Sequence, residues 1–192
     1  MTPSPFATQH PWFADALARL PDRDATSGAA VHARAADILR PSGALRWLDE
    51  IAEWIAGWQR SPMPRIERPV GLIFAADHGI ATATKVSAYP TGVTEAMLAA
   101  YRQDRSTITA FARLAGATVT AIDVGVGRPT GDIRYEPALD PDRFDETVAT
   151  AVAAVDDLDA DLLVLGEMGI GNTTPSAAVA AALAGGEMAA WV

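Results

Sequence analysis

The chain has 192 residues, no cysteine and a formal net charge of −9. An apolar fraction of 49% with 20% charged residues is typical of a folded globular protein and excludes a disordered chain. The acidic balance, without clustered Lys and Arg, argues against binding to nucleic acid or to an anionic membrane surface.

The first part of the chain, residues 1–60, predicts helices. Apolar residues recur at helical spacing in 12–20 and 47–58, and a further helix is predicted over about 30–39. The segment 47–58 carries three tryptophans on one face. We interpret them as packing anchors rather than as a cofactor cage, because large aromatic side chains dominate buried area.

From about residue 61 onwards, strand and helix patterns alternate. Three short apolar runs predict strands, at 70–75, 117–124 and 162–165. Helical patterns separate them, at 94–114 and 144–155. Apolar strands with helices between them imply an α/β fold with a parallel sheet and right-handed crossovers. In such a sheet ligands bind outside the carboxyl ends of the strands, and all three predicted strands end in glycine-containing polar loops.

The loop after the third predicted strand, 166–175, is the most informative segment. Its glycines let the backbone turn sharply and approach a ligand, and free N–H groups at the start of the next helix can hold a phosphate or carboxylate. Glu167 lies beside them, where a carboxylate can accept a hydrogen bond from an azole N–H or act as a base. The alternative is that Glu167 only caps a neighbouring helix. Asn172 or Thr173 is the expected cap of the following helix.

The other two strand-end loops hold carboxylates, an imidazole and hydroxyls. Asp77 and His78 are adjacent, so their side chains point in different directions, and we interpret His78 as structural rather than as part of a dyad. Asp123 is expected to accept hydrogen bonds from loop amides. Ser87 and Tyr89 offer hydroxyls and an aromatic face to a flat ligand.

No metal, cofactor or membrane segment is expected from the sequence. His10, His32 and His78 lie far apart and lack metal-ligand spacing. Residues 1–10 lack the pattern of a signal peptide, and no run of about 18 apolar residues predicts a membrane span. The expected compartment is the cytoplasm.

Seven motifs follow one another in an order that resembles a known family. They lie at 40–48, 74–80, 86–90, 93–97, 114–117, 122–126 and 166–174. The last, Gly-Glu-Met-Gly-Ile-Gly-Asn-Thr-Thr, is highly specific. Together they resemble the nicotinate-nucleotide–dimethylbenzimidazole phosphoribosyltransferase family over roughly residues 40–190.

The resemblance implies a fold and a reaction. The fold is a Rossmann-like α/β domain, placed at 61–192 after the helical segment 1–60, in a homodimer. The activity is that of a pentosyltransferase of cobalamin biosynthesis without a cofactor. Nicotinate mononucleotide and 5,6-dimethylbenzimidazole give α-ribazole 5′-phosphate and nicotinate, and a carboxylate takes the proton of the incoming base.

The resemblance also implies roles for individual residues. Glu167 matches a glutamate at the family's active site and is the catalytic candidate. The substrate-binding candidates are Ser87, Tyr89, Gly169, Gly171, Asn172 and Thr173. Asp77, His78 and Asp123 are expected to be structural or supporting.

The chain also departs from the family pattern. Family members are much longer, and two of their segments have no counterpart here: a late glutamate-bearing segment and a Gly-Arg-Gly-Thr-Gly loop. The resemblance therefore covers the N-terminal part of the family, and the 61–192 domain is expected to be incomplete. The alternative function is a catalytically inactive module for nucleotide binding or assembly, and a weaker one is an unrelated sugar-phosphate protein.

Overall fold

The computed structural model of the chain describes residues 11–41, 43–186 and 191. The expectation that 1–10 hold no signal peptide lies outside the described residues. The elements, in chain order, are α1 (Pro11–Ala18), α2 (Ala25–Asp37), α3 (Trp47–Gln59), β1 (Pro69–Ala76), α4 (Gly79–Ala83), α5 (Val93–Arg102), α6 (Thr107–Leu114), β2 (Thr118–Gly125), α7 (Pro141–Asp156), β3 (Leu162–Met168) and α8 (Thr173–Ala184).

The chain divides into two compact units, Met1–Arg65 and Ile66–Val192. In the first unit α2 packs against α3. Helix α2 begins earlier than its apolar pattern predicts, because the Asp24 carboxylate caps it by accepting hydrogen bonds from the Thr26 and Ser27 amides. The hydrogen bond from the Ser27 hydroxyl, together with these amide bonds, holds the pKa of Asp24 below its ordinary value.

The tryptophans of α3 differ from the expectation. Trp47, Trp54 and Trp58 are 73%, 49% and 46% exposed, so they are not buried anchors in this chain. The buried part of α3 is instead a short stretch of small and aliphatic residues, Ile55, Ala56 and Gly57.

The second unit contains a three-stranded parallel sheet in the order β2-β1-β3. The expected parallel α/β fold is confirmed. The central strand β1 is apolar throughout because it is covered on both faces; Leu72 and Ala75 are fully buried. In the described sheet β3 is an edge strand, and Val164 and Leu165 are more than half exposed.

The helix predicted over 94–114 is two helices. Asp104 adopts a left-handed backbone conformation, with φ of 54°, and this ends the run of α5. Ser106 then starts α6 with a reciprocal pair of hydrogen bonds to Thr109. The break makes two short helices that both pack on β2.

The registers place all three strand ends at one level. Phe74 of β1 lies opposite Ile122 of β2 and Glu167 of β3. The loops that follow the strands therefore leave the sheet from the same edge. Among the described residues, no helix is long and apolar enough to cross a membrane.

We expect Leu72→Ala to destabilise the protein by about 2–5 kcal/mol, since the substitution opens a cavity in the centre of the sheet. Leu114→Ala is the matched control, because Leu114 is 85% exposed, and we expect it to change stability by less than about 0.5 kcal/mol. Urea unfolding followed by circular dichroism measures both. Equal losses in the two variants would contradict the assigned core.

Candidate functional site

The loop between β3 and α8 lies tightly against the loop that follows β1. A Cβ on Gly169 would lie 2.6 Å from both the Ala76 carbonyl oxygen and His78 Nε2. Gly171 has a φ of 80°, and a Cβ there would lie 2.7 Å from the Ala81 Cβ. Glycine is required at 169 for space, and at 171 for both space and backbone conformation.

A buried hydroxyl on α5 fixes this loop. The Ile170 amide donates a hydrogen bond of 3.2 Å to Thr94 Oγ1, and Thr94 is fully buried. Thr94 was not among the site residues predicted from the sequence. A threonine in the first turn of a helix is an ordinary helix start, and its partner lies 76 residues away.

Glu167 is held by Asn172 at the carboxyl end of β3. Asn172 Nδ2 donates to Glu167 Oε1 at 2.5 Å, and Thr173 Oγ1 donates to Asn172 Oδ1 at 3.3 Å. Asn172 stands at the N-cap position of α8, but its side chain makes no capping hydrogen bond. The amide therefore orients the carboxylate and does not cap α8, where the Thr174 amide donates to the Gly171 carbonyl and Pro175 has no N–H.

Glu167, Asn172 and His78 line one open cavity of about 490 Å³. The rest of its lining is mostly apolar and comes from α8, with Pro175, Val179 and Leu183. Three polar groups at one end and an aliphatic wall at the other suit a flat, partly apolar ligand with a hydrogen-bond donor.

Two titratable groups respond to the charge of Glu167. Burial lowers the pKa of His78 below its ordinary value, and the charges of Glu167 and Asp77 offset part of this effect. Burial also raises the pKa of Tyr101, and Glu167 raises it further. Tyr101, near the end of α5, was not singled out as a site residue, because its position is defined only by the fold.

Ser87 and Tyr89 line a different cavity, of about 640 Å³, formed by residues 81–85 and 87–91. The Ser87 hydroxyl accepts a hydrogen bond from the Tyr89 amide at 3.2 Å, and Tyr89 is 67% exposed. The structure therefore brings Glu167 together with Asn172 and His78, but does not place Ser87 or Tyr89 in the same cavity.

Asp77 and Asp123 bond to the backbone of the loop after β2. Asp77 Oδ2 accepts from the Gly127 amide at 2.8 Å. Asp123 Oδ1 accepts from the amides of Gly125 and Val126 at 2.9 and 2.8 Å. Both carboxylates thus shape the strand-end loops. Within the part of the chain that the structure describes, no three acidic or histidine side chains group as metal ligands.

Comparisons with known proteins agree with one another. A family model described as Phosphoribosyltransferase matches residues 20–192. The nicotinate-nucleotide–dimethylbenzimidazole phosphoribosyltransferase of Cereibacter sphaeroides is 46% identical over 172 residues, which cover 90% of this chain and 50% of that protein. The protein of the same name from Ruegeria pomeroyi is 42% identical over 187 residues, covering 97% of this chain and 55% of that protein.

A solved structure shares the fold. The crystal structure of the nicotinate-nucleotide–dimethylbenzimidazole phosphoribosyltransferase from Thermus thermophilus matches with a TM-score of 0.74 and 32% identity. The match covers 84% of this chain and 54% of that chain. The chain spans about half the length of the curated relatives it matches.

We expect Gly169→Ala to destabilise the protein by about 1–3 kcal/mol, because the new methyl group overlaps the His78 ring and the Ala76 carbonyl. Gly92→Ala is the matched control, since a Cβ there meets no atom within 4 Å and its backbone is helical. Urea unfolding compares the two. A Gly169→Ala protein as stable as the control would contradict the close approach of the two loops.

Thr94→Val is expected to cost about 1–3 kcal/mol, since it keeps the volume of the side chain but leaves the buried Ile170 amide without an acceptor. Thr82→Val, at an exposed position, should leave stability within about 0.5 kcal/mol of the original chain. Thermal and urea unfolding both measure the difference. An unchanged stability in Thr94→Val would contradict the assignment of this hydroxyl as the group that fixes the loop.

Proposed function

Because the chain belongs to the nicotinate-nucleotide–dimethylbenzimidazole phosphoribosyltransferase family, we propose that it transfers ribose 5-phosphate from nicotinate mononucleotide to 5,6-dimethylbenzimidazole. The products are α-ribazole 5′-phosphate, a precursor of the lower ligand of cobalamin, and nicotinate. One nitrogen of the benzimidazole bonds to the anomeric carbon as the bond to nicotinate breaks. The proton on the other nitrogen passes to a carboxylate of the site.

The arrangement of Glu167 carries this proposal. The carboxylate stands at the carboxyl end of β3 in the cavity with the apolar α8 wall, and Asn172 binds one of its oxygens. The hydrogen bond restricts the carboxylate, so its other oxygen can face a ring N–H in the cavity. Holding a catalytic group in a fixed position against its substrate contributes a large part of the rate acceleration in such reactions.

The anionic nucleotide needs local binding groups, since the chain as a whole carries a net charge of −9. The amides of Gly171 and Thr173 supply them in this proposal, because those of Ile170 and Asn172 already donate to Thr94 and to the Gly169 carbonyl. Their loop is glycine-rich, runs into the N-terminus of α8 and has no side-chain cap on that helix. Uncapped N–H groups at a helix start bind phosphate and carboxylate oxygens.

Ser87 and Tyr89 are proposed to contact the flat benzimidazole from the neighbouring cavity. Gly171 supports this part of the proposal. A Cβ there would meet atoms of Ala81 and Val86, so the β3–α8 loop lies in contact with the segment that leads to Ser87 and Tyr89. We also propose a homodimer in the cytoplasm, as the family resemblance implies.

The reaction itself provides the test. Purified chain with nicotinate mononucleotide and dimethylbenzimidazole should form α-ribazole phosphate and nicotinate, which chromatography with mass detection separates. Glu167→Gln keeps the shape of the side chain but removes its charge, and we expect turnover to fall by on the order of 10²-fold or more. Glu50→Gln, an exposed position on α3, is the control and should keep full turnover.

Two results would contradict the proposal. A folded chain that forms no product would leave the alternative of a nucleotide-binding or assembly module without turnover. Full activity in Glu167→Gln would show that this carboxylate is not the base. The urea unfolding curve of each variant establishes that it is folded.

A further inference from the structure

His78 lies where the loop after β1 meets the β3–α8 loop and the cavity of Glu167. It follows the end of β1 and is half-buried, with its ring in the space that a Cβ on Gly169 would enter. It also lines the same cavity as Glu167 and Asn172. The fold therefore brings an imidazole from one strand end and a carboxylate from another to a single opening.

The charge state of this imidazole follows from its surroundings. Burial disfavours the charged ring and lowers the pKa of His78, so the side chain is neutral at pH 7 and above. The carboxylates of Glu167 and Asp77 favour the charged ring. His78 is thus a neutral base whose protonated form has an anionic neighbour in the cavity.

We propose that His78 is a second proton-accepting residue of the Glu167 cavity, and that the proton lost by the incoming base is shared between Glu167 and His78. This inference rests on the proposed function and adds a residue to it. Asp77 has a different part, because it accepts from the Gly127 amide of the loop after β2 and does not line the Glu167 cavity.

Each bond that breaks in the proposed step leaves its electron pair on a ring nitrogen. The N–H bond of the benzimidazole breaks, and its electron pair stays in the ring. The other ring nitrogen bonds to the anomeric carbon, while the bond to nicotinate breaks and its electron pair goes to the nicotinate nitrogen. The proton moves to a Glu167 oxygen, then through a water molecule in the shared cavity to a nitrogen of His78, and from the partly exposed imidazole to bulk water.

Two acceptors have a chemical advantage over one. A side-chain carboxylic acid ordinarily ionises far below neutral pH, so it holds a proton poorly, whereas an imidazole ordinarily ionises near pH ~6.5. A carboxylate close to the substrate with an imidazole behind it removes a proton and keeps it away from the product. Tyr101 also responds to the charge of Glu167, but burial and that charge both raise its pKa and keep it protonated.

Histidine NMR tests the coupling without turnover. The ring Cε1–H signals of the full chain are titrated with pH in the original protein, in Glu167→Gln and in Glu53→Gln, and His78→Gln assigns the His78 signal. His32 is the internal control, because its Nδ1 lies 3.4 Å from Glu53. We expect Glu167→Gln to lower the midpoint of His78 and leave the His32 curve unchanged, and Glu53→Gln to leave the His78 curve unchanged. A His78 curve that is identical with and without Glu167 overturns the inference.

The pH dependence of kcat tests the catalytic part. We expect His78→Gln to lower kcat by on the order of 10²-fold with KM nearly unchanged. In the original chain we expect kcat to fall as the pH drops and His78 becomes protonated, with an inflection below the ordinary histidine pKa of about 6.5. The His78→Gln curve should lack this inflection. An unchanged kcat, or an inflection that persists in His78→Gln, overturns the inference and leaves the proposed function in place. A folded original chain without activity would contradict both the proposed function and this inference, so the two failures are distinguishable.

Discussion

The site depends on the parallel pairing of β1 with β3. This pairing sets Phe74 opposite Glu167, so the loop after β1 and the loop after β3 begin at the same edge of the sheet. A slip of one residue would turn Glu167 to the other face of the sheet, because successive side chains in a strand alternate. Leu72 and Ile73 are enclosed on opposite faces of β1, so the central strand is covered on both sides.

Close contact between backbones then decides which side chains meet. His78 can stand next to the β3–α8 loop only because residue 169 has no side chain. The Thr94 hydroxyl holds the following amide from the side of α5. A glycine and a threonine thus position the β3–α8 loop next to the strand end that carries His78. The chemistry is local, but the constraint that creates it is a packing constraint.

The strands and the strand-end loops could be predicted from the sequence because their signals are local: an apolar run, then glycine with a polar residue. Other features were predicted wrongly or not at all. The interruption between α5 and α6 depends on the left-handed backbone at Asp104, which an apolar period does not reveal. The hydrogen bond of Thr94 and the effect of Glu167 on Tyr101 involve residues far along the chain, which no spacing rule predicts. The exposure of Trp58 shows that an apolar helix face does not by itself predict burial.

Electrostatics gives the final constraint on how such a site works in an acidic protein. An anionic nucleotide approaching a chain of charge −9 meets an unfavourable overall field, and a second carboxylate acting as base would add to it. In the proposed role, a neutral imidazole in the Glu167 cavity adds proton-accepting capacity without adding negative charge. It becomes positive only when it takes a proton, and then it offsets the charge of the neighbouring carboxylate. Burial lowers the pKa of His78 and disfavours its charged form, which is the state that the proposed role requires before the proton transfer.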